Sequence, residues 1–299
     1  MRSDYHNRPA FETIAPKRAI APLVFNSAHS GSDYPKRFLQ MSKLDKVSIR
    51  LSEDAYVNDL FSRAPHLGAP LLHAHFPRAY LDVNREPYEL DQTMFAEKLP
   101  SNYNVNSPRV KSGIGTLAKI VAQNKNIYSK KLTLEDAHMR IEGIYRPYHL
   151  TLQKLLTKTL EKFGIALLID CHSMPNLSRP NPFHAKERTA PDIVLGDRHG
   201  TTCSKIIVDV IENHFSGNGL KVSRNRPYAG GFITNSYANP AHNIHAIQIE
   251  ISRHLYMNEA TFIKTANYNA LKQIIDNLIK SLINLDIAAL ARIQSNAAQ

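Results

Sequence analysis

The segment Ile165–Cys171, IALLIDC, constrains the fold most. Apart from Asp170 it is apolar throughout, and its length suits a strand better than a helix. A strand without polar alternation has no face to give to water, so it belongs inside a sheet that is covered on both sides. A helix-period run precedes it. Thr133, with Asp136 three residues on, is a capping-box variant opening a long helix through Ile141, Ile144, Tyr148, Leu152, Leu155 and Phe163. Gly164 suits its C-terminal stop, and Pro147 should bend it.

The same alternation of strand and helix continues along the chain. Leu23–Ala28 reads as a short strand running into a turn. Ser52 is expected to cap a helix to about Ala64. Leu71–Phe76 and Ala79–Asn84 read as extended segments broken near Pro77. Asp192–Leu195 is a strand and Thr201–Phe215 an amphipathic helix. In Ile244–Ser252, Ile247, Ile249 and Ile251 share one face and Gln248 and Glu250 the other. A last helix is expected from about Asn258 to Leu285. These elements predict an α/β fold with a mixed central β-sheet flanked by helices on both faces. No linker or repeat marks a boundary. We therefore expect a single hydrolytic domain over 1–299, with an N-terminal arm at 1–20 and a C-terminal tail at 286–299.

Composition removes several function classes. At 43% hydrophobic and 21% charged, the 299 residues match an ordinary globular mix. No apolar run is long enough to cross a bilayer, and the start of the chain lacks a signal-peptide core. Two cysteines, Cys171 and Cys203, cannot form a disulfide framework, which points to the cytoplasm. The net charge of +11 is spread out, with no zinc-finger or phosphate-loop motif and no aromatic platform. The plain reading is a solvated basic surface, with nucleic acid or a small acidic substrate as the alternatives, and charge alone does not decide among them.

In open α/β sheets, ligands collect beyond the carboxyl ends of strands. Those ends carry His29-Ser30-Gly31-Ser32-Asp33, Asp82-Val83-Asn84-Arg85, Asp170-Cys171-His172-Ser173 and Glu250. Imidazoles, carboxylates and a guanidinium together are the set that a hydrolytic divalent metal uses. Glu250 has a plainer alternative, a salt bridge to an arginine such as Arg253. A second pattern, His73-Ala74-His75, puts two imidazoles on one strand face. Barrel-type metal hydrolases begin with such a pair, but no eightfold strand–helix count follows here, and its expected role is structural or supporting.

At these residues the sequence resembles the N-formylglutamate amidohydrolase family, from about residue 20 to 260. The matching blocks are HSGSDYP (29–35), RAYLDVNREP (78–87), YRPYH (145–149), LLIDCHSMP (167–175), LGDRHGTTC (195–203), YAGGFIT (228–234) and HAIQIEISRHLYM (245–257). The family is in turn distantly similar to the zinc carboxypeptidases, whose fold has a mixed central sheet. That resemblance implies zinc, or another divalent transition metal, on His29, Asp33 and His172. Carboxypeptidases use His-x-x-Glu, whereas Ser32 stands three residues after His29 and the carboxylate comes at Asp33. Asp170 and Asp82 are the reserves, and either could instead orient a ligand imidazole.

The resemblance further implies hydrolysis of the formyl amide of an N-acyl amino acid, N-formyl-L-glutamate first, giving glutamate and formate in histidine breakdown. Glu250 would be the general base. Asn84 and Arg85 would hold a substrate carboxylate, and Arg78 would be a second cation for that carboxylate or for the oxyanion. Tyr228, with Gly230 and Gly231, would form a loop over the site.

Overall fold

The computed structural model describes residues 8–177 and 190–285. The expected C-terminal tail and the first part of the N-terminal arm lie outside these residues.

Strands β1 (Phe11–Ile14), β2 (Leu23–Ser27) and β3 (Leu71–Ala74) come first, followed by a two-stranded ribbon of β4 (Ile120–Val121) and β5 (Lys125–Asn126). Then come β6 (Ala166–Met174), β7 (Ile193–Gly196), β8 (Val222–Arg224) and β9 (Ile244–Ser252). Seven of them form one mixed sheet in the order β1-β3-β2-β6-β9-β7-β8. β2 and β9 both run parallel to β6, whereas β7 runs antiparallel to β9. Every residue of β6 is buried, as its unbroken apolar pattern requires.

The chain divides into two compact units, each built from three separate stretches, so no linker could mark them in the sequence. The unit of residues 13–27, 56–72 and 153–299 holds most of the sheet. In it, α2 (Val57–Leu60) packs on β6 and on α8 (Tyr268–Asn284). α6 (Lys205–Gly217) packs on β7, β8 and α8, and α7 (Phe232–Tyr237) lies against β6 and β9.

The other unit, residues 1–12, 28–55 and 73–152, contains α1 (Lys36–Met41), α3 (Pro108–Lys111), α4 (Leu134–Arg140) and the start of α5 (Arg146–Phe163). Its small core gathers Phe38, Ile49, Ala79, Val121 and Ile127. Beside them the buried Arg140 guanidinium lies 4.2 Å from the Tyr80 ring centroid and donates to the Tyr128 hydroxyl at 2.8 Å.

The Thr133–Asp136 capping box forms as expected. The helix behind it is interrupted by a π-helical turn, Ile141–Tyr145, next to Pro147, whose missing N–H frees a carbonyl in the preceding turn. Gly164 ends α5 at φ +73°.

Three expectations on local structure are corrected. The helix from Ser52 is reduced to Val57–Leu60, because Tyr56 is left-handed (φ 68°) and Glu53 and Asp54 serve other partners. Ala79–Asn84 is a turn rather than a strand. Tyr80 and Leu81 both donate backbone N–H to Pro77 O, and the Asp82 side chain accepts from Asn84 N at 2.9 Å. The last helix starts at Tyr268 rather than Asn258, since Asn258–Phe262 forms its own turn, with its side-chain amide oxygen accepting from Ala260 N.

Candidate active site

The loop leaving β2 presents His29, and Gly31 makes that loop possible. A Cβ on Gly31 would fall 2.2 Å from Phe76 O, so only glycine allows the backbone to lie this close. Asp33 N then donates to His75 O at 2.8 Å. His29 is buried, with Nε2 2.7 Å from Asp82 Oδ1 and Nδ1 3.5 Å from Asp54 Oδ2. Asp54 N in turn donates to His29 O at 3.0 Å.

Asp82 is the hub of this cluster. Besides His29, Arg78 Nη2 donates to its Oδ2 at 2.8 Å, and Arg85 Nε lies 3.7 Å from the same oxygen. Burial disfavours the charged carboxylate, yet Arg85, His29 and Arg78 outweigh it and hold Asp82 well below the usual carboxylate range. The turn carrying it is held from α5 and the π-helical turn. The Tyr145 hydroxyl donates to Arg85 O at 2.7 Å, and His149 Nε2 lies 2.9 Å from Val83 O.

Two sequence-derived roles look different in this geometry. Asp33 is paired with Arg8, and the carboxylates facing His29 are Asp54 and Asp82. Arg85 donates Nε to Ile114 O at 2.9 Å and Nη1 to Asn84 O at 2.8 Å, so much of its guanidinium is spent on its own unit. Asn84 is buried with its N–H on Asp82, and Arg78 is the more accessible of the two arginines.

The second cluster lies on β6 and β9. Their parallel register pairs Asp170 with Gln248 and His172 with Glu250. Register partners point to the same face, so an imidazole and a carboxylate stand side by side on adjacent strands. Asp170 Oδ1 lies 3.2 Å from His172 Nε2 and accepts from Asn26 Nδ2 at 2.8 Å. Gln248 Nε2 donates to Glu250 Oε1 at 2.7 Å, while its Oε1 accepts from Gly231 N, also at 2.7 Å. Arg253 Nε donates to Ser173 Oγ at 3.2 Å.

The segment containing Tyr228, Gly230 and Gly231 is thus tethered to β9. It also presses on β7, where a Cβ on Gly196 would meet Gly230 N at 2.6 Å. Tyr228 packs against the cluster of Met174, Leu177 and Val194.

His29 and His172 are each backed by a carboxylate, Asp82 and Asp170, which is how proteins commonly fix the tautomer and orientation of a metal-ligating imidazole. The donor chemistry therefore fits a divalent transition metal. Cys171 and Cys203 offer no thiolate nucleophile, because burial pushes both thiols up. A cavity of about 250 Å³ lined by Lys43, Lys119, Tyr128, Lys130 and Lys131 contains none of these groups.

Residues 21–257 match the family model described as N-formylglutamate amidohydrolase. The chain belongs to that family. Its members hydrolyse linear amides, and this chain is a hydrolase of that class. It is 28% identical over 251 residues to the N-formylglutamate deformylase of Pseudomonas putida, covering 80% of this chain and 82% of that one. To the N-formylglutamate deformylase of Pseudomonas aeruginosa it is 26% identical over 277 residues, covering 91% and 96%. The crystal structure of N-formylglutamate amidohydrolase from Ralstonia eutropha JMP134 superposes with a TM-score of 0.84 at 33% identity, covering 92% of this chain and 97% of that one.

Asp54 had no signal in the sequence. It follows Glu53 in an acidic pair well downstream of His29, and the fold brings it back there, where Asp54 N donates to His29 O. Among the described residues, no helix is long and apolar enough to cross a membrane.

Proposed function

We propose that this protein hydrolyses N-formyl-L-glutamate to L-glutamate and formate, in the cytoplasm, as a step of histidine breakdown. Family membership and the deformylase relatives support the reaction. The observation that carries the chemistry is the register pair His172–Glu250, which sets a metal-ligand type beside a general-base type. The partner is a small dianionic substrate rather than nucleic acid or a membrane.

In this reading His29 and His172 would hold a divalent ion, zinc in the first instance, and Asp54, whose carboxylate faces His29, would take the place first given to Asp33. When bound, the ion supplies Lewis-acid polarisation of the formyl carbonyl and acidifies water. Glu250 takes the proton of the attacking water and passes it to the amine nitrogen as the C–N bond breaks. Gln248 holds that carboxylate in place. Asp82 and Asp170 keep the two imidazoles oriented. Arg78 binds a substrate carboxylate, assisted by Asn84 and Arg85, whose positions the Asp82 turn fixes. Tyr228 contributes to the substrate pocket from its tethered loop.

The test is a substrate panel with metal analysis. Purified protein loaded with Zn²⁺ should show its highest kcat/KM on N-formyl-L-glutamate, against N-formylglutamine, N-acetylglutamate and a C-terminal glutamyl dipeptide. Higher kcat/KM on the acetyl or dipeptide substrate would replace this reading with an acylase or peptidase. Undiminished turnover after complete metal removal would overturn the metal assignment.

A further inference from the structure

Glu12, His73 and His75 form a separate constellation on the edge of the sheet, and none of them takes part in the chemistry above. Glu12 lies on β1 and His73 on the adjacent β3, with His75 just beyond the same strand. A period of two puts both imidazoles on the strand face that Glu12 approaches. The two rings are 4.8 Å apart between centroids, at 68° to each other. Glu12 Oε1 lies 2.9 Å from His73 Nε2 and 3.7 Å from His75 Nε2. One ligand atom from each of the three residues falls within 4.8 Å of the others.

The tautomer of His75 is set by its other nitrogen. Nδ1 donates to Pro9 O at 2.7 Å, so Nε2 carries a lone pair. That Nε2 is buried and has no hydrogen-bond partner. A buried acceptor left unmatched is costly, and it points at a carboxylate oxygen that cannot donate to it. A cation between them would satisfy both. An imidazole anchored through Nδ1 to a backbone carbonyl, with Nε2 aimed at the site, is the orientation usual for a metal ligand. Four donors at about 2.0–2.2 Å around zinc stand about 3.3 Å from one another in a tetrahedron. The separations of 2.9 and 3.7 Å bracket that value.

We propose that Glu12, His73 and His75 form a second divalent transition-metal site, of the zinc class, that clamps the N-terminal segment onto β3. Two imidazoles and one carboxylate select Zn²⁺ or its neighbours over Mg²⁺ or Ca²⁺, which want oxygen ligands. Glu12 is half exposed and leaves an entry path and a position for water. His73 Nε2 now shares a proton with Glu12 Oε1. Binding moves that proton to Nδ1 of the same ring, so the imidazole stays neutral. That Nδ1 is also buried without a hydrogen-bond partner, which weakens the site relative to one with all its ligands anchored.

The clamp reaches the His29 loop through backbone. Residues 9 and 10 contact His75 through Pro9 O and Ala10 O, and His75 O accepts from Asp33 N. Arg8, on the same segment, pairs with Asp33. An ion here ties the arm, the strand end and the loop together without touching His29.

The test is Zn²⁺ stoichiometry by mass spectrometry of the metal, and Zn²⁺ titration calorimetry, on chelator-stripped full-length protein. Wild type should take up two ions per chain. His172→Ala should retain one, and adding Glu12→Gln to it should weaken that remaining ion at least about tenfold. Because Glu12 is exposed, Glu12→Gln should fold normally; His75→Ala in the wild-type background should also lose one ion and keep kcat on N-formyl-L-glutamate within about threefold. One ion in wild type, absent from His172→Ala, overturns the second site while leaving the proposed reaction standing. Loss of all metal and all hydrolysis in folded Glu12→Gln or His75→Ala also overturns it, because the cluster would then be the catalytic centre.

Discussion

Glu250→Gln separates an enzyme from a metal-binding shell, and the structure allows its consequences to be worked out. Glu250 accepts from Gln248 Nε2 at 2.7 Å, and Gln248 cannot turn over easily because its Oε1 accepts from Gly231 N. A glutamine at 250 keeps an acceptor oxygen for that N–H, so the bond survives in neutral form. What is lost is the charge assistance, worth about 1 kcal/mol. Offset against it is the relief of burying a carboxylate, so the melting temperature should move by only a few degrees. The chemistry should suffer far more. A positioned general base contributes about 10² to 10⁴ in rate, or roughly 3–5 kcal/mol of barrier. Zinc stoichiometry, melting temperature and kcat on N-formyl-L-glutamate are to be measured on one preparation. We expect unchanged metal, nearly unchanged stability and kcat down by at least about 100-fold. A drop in melting temperature with kcat intact would make Glu250 a structural partner and remove it as the base.

Three further outcomes are expected. His172→Ala should abolish hydrolysis and lower bound zinc by one ion with the far-UV circular dichroism kept; a full zinc complement would remove His172 from the ligand set. Arg78→Ala should raise KM for N-formyl-L-glutamate by about tenfold or more with a smaller change in kcat. Arg85→Ala should chiefly lower the melting temperature, since Arg85 is bonded to Ile114 O and Asn84 O; the reverse pattern in kinetics and melting would exchange their roles. Asp59 is pulled well below its usual range: burial opposes this, but Lys264, Lys272 and Tyr268 prevail. A lowered carboxylate pKa stabilises the fold above the unfolded value of about 4 and is lost as the pH falls below it. Asp59→Asn should therefore cost about 1 kcal/mol at pH 7, Asp59 being part exposed, and the gap to wild type should close in acid urea titrations.

What the sequence could show was decided by how local the signal is. β6 and β9 were legible because buried-strand and alternating patterns are properties of consecutive residues, and they fell within a residue or two at the N-terminal end. The capping box at Thr133 and the stop at Gly164 were legible for the same reason. The Ala79–Asn84 turn was not, because its residues suit a strand and the turn is imposed by hydrogen bonds to Pro77 and Thr116. Ser52 looked like a cap, but the acidic residues after it are claimed by Arg50, Tyr34 and His29, which breaks the helix before it starts. Asp33 is put forward as a metal ligand by the resemblance and by its nearness to His29 in sequence; the pairing of its carboxylate with Arg8 and the approach of Asp54 to His29 are long-range and left no local signal.

The polar residues of the central strands also explain each other. In an apolar sheet each of them would be costly if left unmatched, so their arrangement has to be mutual. Asn26, Asp170 and Gln248 lie in register across β2, β6 and β9, one rung of side chains crossing three parallel strands. Two residues further along, the next rung of β6 and β9 carries His172 and Glu250. The first rung supports the second: Asp170 contacts His172 along its own strand, and Gln248 donates to Glu250 along its own. Within the first rung Asn26 donates to Asp170, and the rung is held from outside the strands by Thr234 on Asp170 and Gly231 on Gln248. Strand geometry alone sets the spacing, because a period of two returns each side chain to the same face. That is why the 244–252 segment must alternate isoleucines with Gln248, Glu250 and Ser252: one face is spent on packing, and the other carries a carboxylate and the amide that holds it.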